Sequence, residues 1–196
     1  MKFYKLILAT NNRHKIAELT ALLEGADVTI LTKADFPDFP EIEETANTLV
    51  ENALEKSRTI FRKYGIPAVA DDTGLEVDSL GGAPGVYSAR YAGEGCTFAD
   101  NNCKLLRELE GVPMERRCAR FVTVIAVTYA DGEICLEGDV HGYIATGPRG
   151  DNGFGYDPVF VYQPMGKTFA EMDTKTKNAV SHRAAALGKF KDWLFS

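Results

Sequence analysis

The stretch Phe3-Tyr4-Lys5-Leu6-Ile7-Leu8-Ala9-Thr10-Asn11-Asn12-Arg13-His14-Lys15-Ile16 changes its period halfway along. Phe3 to Ala9 is a run of apolar and branched side chains that stops at polar residues, which predicts a buried strand. From Arg13 the apolar positions Ile16, Leu19, Leu22 and Leu23 recur on one helical face, and Gly25 is placed to end that helix in a left-handed turn. Asp27 to Leu31 reads as a second strand. Strand, helix and strand in this succession open an α/β chain.

Further along, an acidic, Pro-containing loop runs from Asp35 to Glu44 and leads into a long helix. Thr48 and Glu51 have the spacing of a capping box, while Leu49, Ala53, Ile60 and Phe61 form a stripe that runs to Gly65. Pro67 to Ala70 is expected as a strand that terminates in Asp71-Asp72-Thr73-Gly74. Gly81, Gly82, Pro84 and Gly85 mark a tight loop, and Thr97 to Leu109 a third helix closed by Gly111. Cys118 to Tyr129 and Glu133 to His141 flank Asp131-Gly132, the signature of a long hairpin. A strand at Val159 to Tyr162 and one helix from about Lys175 to Leu194 complete the chain. The pattern predicts an α/β or α+β sheet protein, a single domain over 1–196, with no repeat or linker.

A chain of 196 residues buries roughly 70% of its unfolded surface, so its core needs no staple. With 45% hydrophobic and 26% charged residues and no like-charge block, it is not disordered, collagenous or coiled-coil. No apolar run has bilayer length and the first residues are too short for a signal peptide, so a cytoplasmic protein without a membrane partner is expected. Cys96, Cys103, Cys118 and Cys135 contain no C-x-x-C and read as buried free thiols. The net charge of -6 argues against a duplex nucleic-acid partner. A small anionic ligand is compatible with it. Distant charges are screened beyond about 8 Å, whereas one Lys about 4 Å from a phosphate is worth up to about 4 kcal/mol.

Four polar segments lie where apolar elements end, the usual place for sites in sheet proteins. Thr10-Asn11-Asn12-Arg13-His14-Lys15 brings a helix N-terminus and an ammonium together, as an anion site requires; it reads equally as an Asn cap before a solvated basic turn. Asp71-Asp72-Thr73-Gly74 holds two carboxylates whose repulsion a cation would relieve, against the reading of an Asp-rich turn. Glu41-Ile42-Glu43-Glu44 offers hard oxygens that would suit Mg²⁺ together with Asp72, or is a solvated acidic loop. Gly153-Phe154-Gly155-Tyr156-Asp157-Pro158 presents an aromatic between glycines, suited to stacking on a base. Tyr156 reads equally as core and Asp157-Pro158 as a turn. Lys177 follows at a distance, and His182 and Arg183 near the start of the last helix offer donors to a carbonyl or phosphate, or are a surface pair on a solvated helix face.

Taken together, Thr10-x-Asn12-x-x-Lys15, Glu43-Glu44-Thr45, Asp71-Asp72-Thr73-Gly74-Leu75, the run Gly81 to Tyr91, Gly153 to Pro158 and Ser181-His182-Arg183 resemble the inosine/xanthosine triphosphate pyrophosphatase family, in family order and over the whole chain. The resemblance implies an elongated α/β fold with a mixed central sheet flanked by helices, two lobes around a nucleotide-binding cleft, and a homodimer. It implies hydrolysis of the purine nucleoside triphosphates ITP, dITP and XTP to the monophosphate and pyrophosphate with Mg²⁺, or Mn²⁺ in its place. Carried over by position, the segment Thr10, Asn11, Asn12, Arg13, His14 and Lys15 would hold the triphosphate, and Asp72 would be general base and metal ligand. Glu43 or Glu44 would share the metal, Thr73 would touch substrate, and Phe154, Gly155, Tyr156 and Asp157 would hold the base with Lys177, His182 and Arg183. The mechanism this suggests is attack of an activated water on the α-phosphorus, with Lys15 stabilising the pyrophosphate that leaves. Thr73 where Ser is common retains the hydroxyl, and Ala46 replaces a common Gly. A purine-sensing module without turnover and a pyrophosphatase for a broader nucleotide pool are the competing readings. The acidic set disfavours the first, since binding alone gains nothing from a base beside a polyphosphate.

Overall fold

The computed structural model describes residues 2–196, the side chains of Arg13 and His14 excepted. Its main elements are β1 (Lys5–Leu8), α1 (Arg13–Leu22), β2 (Thr29–Leu31), α2 (Leu49–Tyr64), β3 (Ala68–Val77), β4 (Pro84–Gly85) and α3 (Phe98–Glu108). They continue with β5 (Cys118–Tyr129), β6 (Gly132–Ile144), β7 (Phe160–Tyr162), β8 (Lys167–Thr168), α4 (Thr174–Val180) and α5 (His182–Phe195). Among the described residues the strands form a mixed sheet in the order β2-β1-β3-β5-β6-β7-β8, with β4 beside β3. β1 runs parallel to β2 and β3, whereas β3 with β4 and β6 with β7 are antiparallel. No helix among the described residues is long and apolar enough to cross a membrane.

The chain divides into two compact units. The first comprises the chain up to Asp72, Thr123–Gly138 and Ala185–Ser196. Here β1 is covered on both faces, which is why it reads as a continuous apolar run. Leu6 and Leu8 pack with Leu19 of α1, Leu23 just after it and Phe190 of α5. Ile7 and Ala9 face the other way, onto Ile60 of α2. Thr48 caps α2 by accepting from Glu51 N at 3.1 Å, and Gly65 closes it at φ 66°.

The second unit comprises Thr73–Val122 and Asp139–Ala184. Its core joins Leu75 and Val77 of β3, Leu105 and Leu109 of the α3 region, Phe121, Ile144, Phe160 and Phe169. Arg117 is buried inside it without a carboxylate partner among its described contacts. Its guanidinium donates to Val112 O at 3.0 Å, Ala145 O at 2.8 Å and Leu109 O at 2.5 Å. The charge stabilises the carbonyl end of α3, and its loss strands buried acceptors. Arg117→Met is therefore expected to cost about 3 kcal/mol. A urea titration reads the cost, and a loss below about 1 kcal/mol would show that the carbonyls are satisfied without the guanidinium.

The structure departs from the sequence reading in three places. β3 does not stop at Asp71 but continues to Val77, because lysines neutralise the acidic pair and Leu75 and Val77 resume the buried alternation. The C-terminal helix is two helices: Ser181 is extended, at φ -78° and ψ 157°, and its hydroxyl accepts from Ala184 N at 3.2 Å to start α5. The four cysteines are free, but Cys103, Cys118 and Cys135 are exposed and Cys96 is half-buried. They lie outside the apolar clusters, so the expectation of buried thiols is overturned.

Candidate active site

In the first unit the alternation of β3 sets out the chemistry. Val69 packs with the α1 and α5 cluster, and Ala68 and Ala70 with α2. Continued with a period of two, the pattern turns Asp71 toward α1 and Asp72 toward α2. Asp71 Oδ2 meets Lys15 Nζ at 2.9 Å. Asp72 Oδ1 lies 3.3 Å from Lys56 Nζ, and its Oδ2 accepts from Asn52 Nδ2 at 3.2 Å. Lys56 Nζ also reaches Glu44 Oε1 at 2.8 Å and donates to Asp71 O at 2.8 Å. Asn52 Oδ1 accepts from Ala46 N at 3.0 Å, which fixes the loop that carries Glu44. Glu43, the other member of the pair, is exposed.

These contacts gather three carboxylates (Glu44, Asp71, Asp72) around two ammonium groups (Lys15, Lys56), so the cluster carries one excess negative charge. Burial pulls the Lys56 pKa down, but the carboxylates of Asp72 and Glu44 outweigh it and hold the ammonium charged, with a raised pKa. For Asp72 burial dominates, opposed by Lys56, assisted by the Glu44 charge and opposed again by Lys15 and Asn52; its pKa is raised. A carboxylate so placed accepts a proton more readily than one in water.

β1 and β3 are parallel neighbours, so β1 ends beside the first residues of β3, just ahead of Asp71 and Asp72. Ala9 N donates to Val69 O at 2.7 Å there, and the polar segment follows. Thr10 Oγ1 accepts from Asn12 N at 3.2 Å, and Asn12 O accepts from Ile16 N at 3.0 Å, which makes Asn12 the cap residue of α1. Asn11 and Asn12 are exposed and Lys15 is half-buried. Arg13 and His14 belong to the same turn, and their side chains lie outside the described residues.

In the second unit Thr73 follows on β3, half-buried. The loop after β6 is closed on itself: Asp157 Oδ2 accepts from Phe154 N at 2.7 Å and pairs with Lys177 Nζ. A Cβ at Gly153 would lie 2.1 Å from that carboxylate oxygen, so glycine is required there. Lys177 Nζ stands 4.6 Å from the Phe154 ring centroid and Arg183 Cζ 5.8 Å. Tyr156 is core, its hydroxyl donating to Ser88 O at 2.9 Å, and burial raises its pKa. Ser88 in turn accepts from Leu75 N at 2.8 Å, so the Gly81 to Tyr91 run braces both β3 and the Phe154 loop. Gly155 O accepts from Asn102 of α3 at 2.9 Å. His182 stacks on Phe121 at 4.6 Å and 16°. His182 and Arg183 are buried, so they are not a solvated surface pair.

Lys56 and Asn52 were not read from the sequence as site residues. The signal was available: on α2 the buried face runs Leu49, Asn52, Ala53, Lys56, Ser57, Ile60. A lysine within an apolar stripe needs a buried anion, and Asp71-Asp72 supplies it.

Fold and site thus define a mixed α/β enzyme-like frame in which paired acids within β3 meet lysines of α1 and α2. The chain belongs to the Ham1 family, whose model matches residues 6–193. It is 50% identical over 191 residues to a protein of Geobacter sulfurreducens named dITP/XTP pyrophosphatase, covering 97% of this chain and 96% of that one. A protein of Thermoanaerobacter sp. (strain X514) with the same name is 51% identical over 190 residues, covering 97% and 96%. The solved structure of a HAM1 protein from Coxiella burnetii superposes with a TM-score of 0.93 at 40% identity, covering 98% of this chain and 99% of that one.

Proposed function

We propose that this chain hydrolyses the non-standard purine nucleoside triphosphates dITP, ITP and XTP to the monophosphate and pyrophosphate. The observation that carries the reading is the convergence of Asp72 and Glu44 on the Lys56 ammonium, with a carboxylate in excess. The similar proteins named for this reaction agree with it.

The first unit takes the triphosphate. Asp72 receives the proton of the attacking water, with its second oxygen held by Asn52 and its pKa raised chiefly by burial. Lys15 and Lys56 offset charge on the phosphates, and Thr10, Asn11, Asn12 and the backbone N–H groups opening α1 bind the polyphosphate. The donor set fits a divalent cation: two hard carboxylates already share one cationic partner, and the cluster is one positive charge short. Asp72 and Glu44 would hold Mg²⁺, or Mn²⁺ in its place, which supplies charge neutralisation and activation of water. Exposed Glu43 is the weaker candidate of the acidic pair.

The second unit takes the base. Phe154 stacks on it, while Asp157, Lys177 and the Gly155 backbone hold the platform's shape. Arg183, beside the Phe154 ring, and His182 donate to O6 of hypoxanthine or xanthine. Adenine offers a 6-amino donor there instead, a mismatch that discriminates by up to about 10⁴-fold. A panel of nucleoside triphosphates with Mg²⁺ tests the reading: pyrophosphate from dITP and XTP is expected, with little turnover of ATP or GTP. In labelled water the label enters the monophosphate. Orthophosphate as first product, or label in pyrophosphate, overturns it.

A further inference from the structure

We propose that Phe98 is a second aromatic contact for the purine base, forming with Phe154 one angled apolar surface; the inference rests on the reading of Phe154 as the base platform. Phe98 opens α3 and is 55% exposed, whereas Phe154 is half-buried. The ring centroids are 6.2 Å apart and the planes are inclined by 44°. One stacked layer takes about 3.4 Å, so a base between two rings needs roughly 7 Å between parallel planes. The pair does not leave that slot. A base therefore stacks on one ring and lies against the edge of the other, the offset arrangement aromatic groups prefer. Lys177 Nζ at 4.6 Å and Arg183 Cζ at 5.8 Å already stand by the Phe154 ring, which restricts the base to the remaining surface, and Phe98 enlarges that surface.

The backbone that carries Phe98 is fixed before any ligand arrives. Thr97 and Asp100 form a reciprocal capping box around it, with Asp100 N donating to Thr97 Oγ1 at 3.2 Å and Thr97 N donating to Asp100 Oδ2 at 2.8 Å. Asn102, one turn further on the same helix face, holds Gly155 O at 2.9 Å. Thus α3 carries one ring and tethers the loop that carries the other. Such preorganisation removes the ordering cost of a mobile aromatic.

Steady-state kinetics of Phe98→Ala with dITP, beside the wild type, test the assignment. KM is expected to rise about tenfold, within the range for losing one base–aromatic contact, and kcat to change less than twofold. Inhibition by pyrophosphate, which has no base, keeps its constant, and Phe98→Trp restores KM. Inosine monophosphate is expected to bind Phe98→Ala about tenfold more weakly in calorimetry. An unchanged KM and an unchanged monophosphate affinity overturn the assignment. So does an equal loss for pyrophosphate, which would mark a general structural defect. A shift in sedimentation without a change in KM also overturns it, since Phe98 would then be covered by a second copy. Failure of the wild type to turn over dITP would sink the functional reading itself, a result distinct from these.

Discussion

Asp72→Asn is expected to lower kcat for dITP by about 10² to 10⁴, the usual contribution of a positioned general base, while leaving the melting temperature unchanged or slightly higher. The two halves of this expectation come from one cause. Burial has raised the Asp72 pKa despite Lys56, Lys15 and Asn52, so ionising this carboxylate in the folded chain is less favourable than in the unfolded one. A carboxylate with a raised folded-state pKa contributes most when protonated, and that contribution is lost as pH rises through the folded value. At neutral pH the charge is therefore a cost that catalysis requires and folding does not. Asn keeps the shape and removes both. Kinetics and a thermal melt on the same preparation check it: near-normal turnover at saturating Mg²⁺ removes Asp72 from the mechanism, and a large drop in melting temperature would recast it as a structural residue.

Lys56→Met is the opposite case, with both turnover and stability lost. The ammonium is buried with Glu44, Asp72 and the Asp71 carbonyl around it. Met fills the stem's space but leaves the carboxylates without their shared cation, taking the cluster from one excess negative charge to two. Breaking a buried pair in this way costs about 3–5 kcal/mol, and removing a charge-stabilising group beside the phosphates costs roughly 10²–10³ in kcat. If Asp72 and Glu44 hold a divalent cation, Mg²⁺ takes over part of the lost role. The variant's melting temperature then rises with Mg²⁺ far more than the wild type's, and EDTA reverses the gain. Wild-type stability in EDTA would show that Lys56 is not the charge that holds these acids together.

The apolar patterns of β1, α1 and α2 made those elements legible, while Gly111 marked the end of the α3 region and Asp131-Gly132 marked the β5–β6 hairpin. The continuation of β3 was hidden because Asp-Asp-Thr-Gly is poor in strand formers and the lysines that make it tolerable lie far along the chain. Which of Glu43 and Glu44 reaches Lys56 was closed to sequence for the same reason; Glu44 makes that contact. The break at Ser181 left only a cap signal within a helix-compatible run. The motifs carried the family and the acidic pair. They did not carry the partners of those acids, which are set by the packing of α1 and α2 on the strand.

The continuity of β3 also governs how this site can change over time. Asp71, Asp72, Leu75 and Val77 take their directions from one unbroken two-residue alternation, and the surrounding helices are matched to it. A deletion of one residue ahead of Asp71 would exchange the directions of the two acids and turn the core residues outward in a single step. The strand tolerates substitutions but not a change of length, and the reading frame of its pleat is as much a part of the site as the side chains it carries.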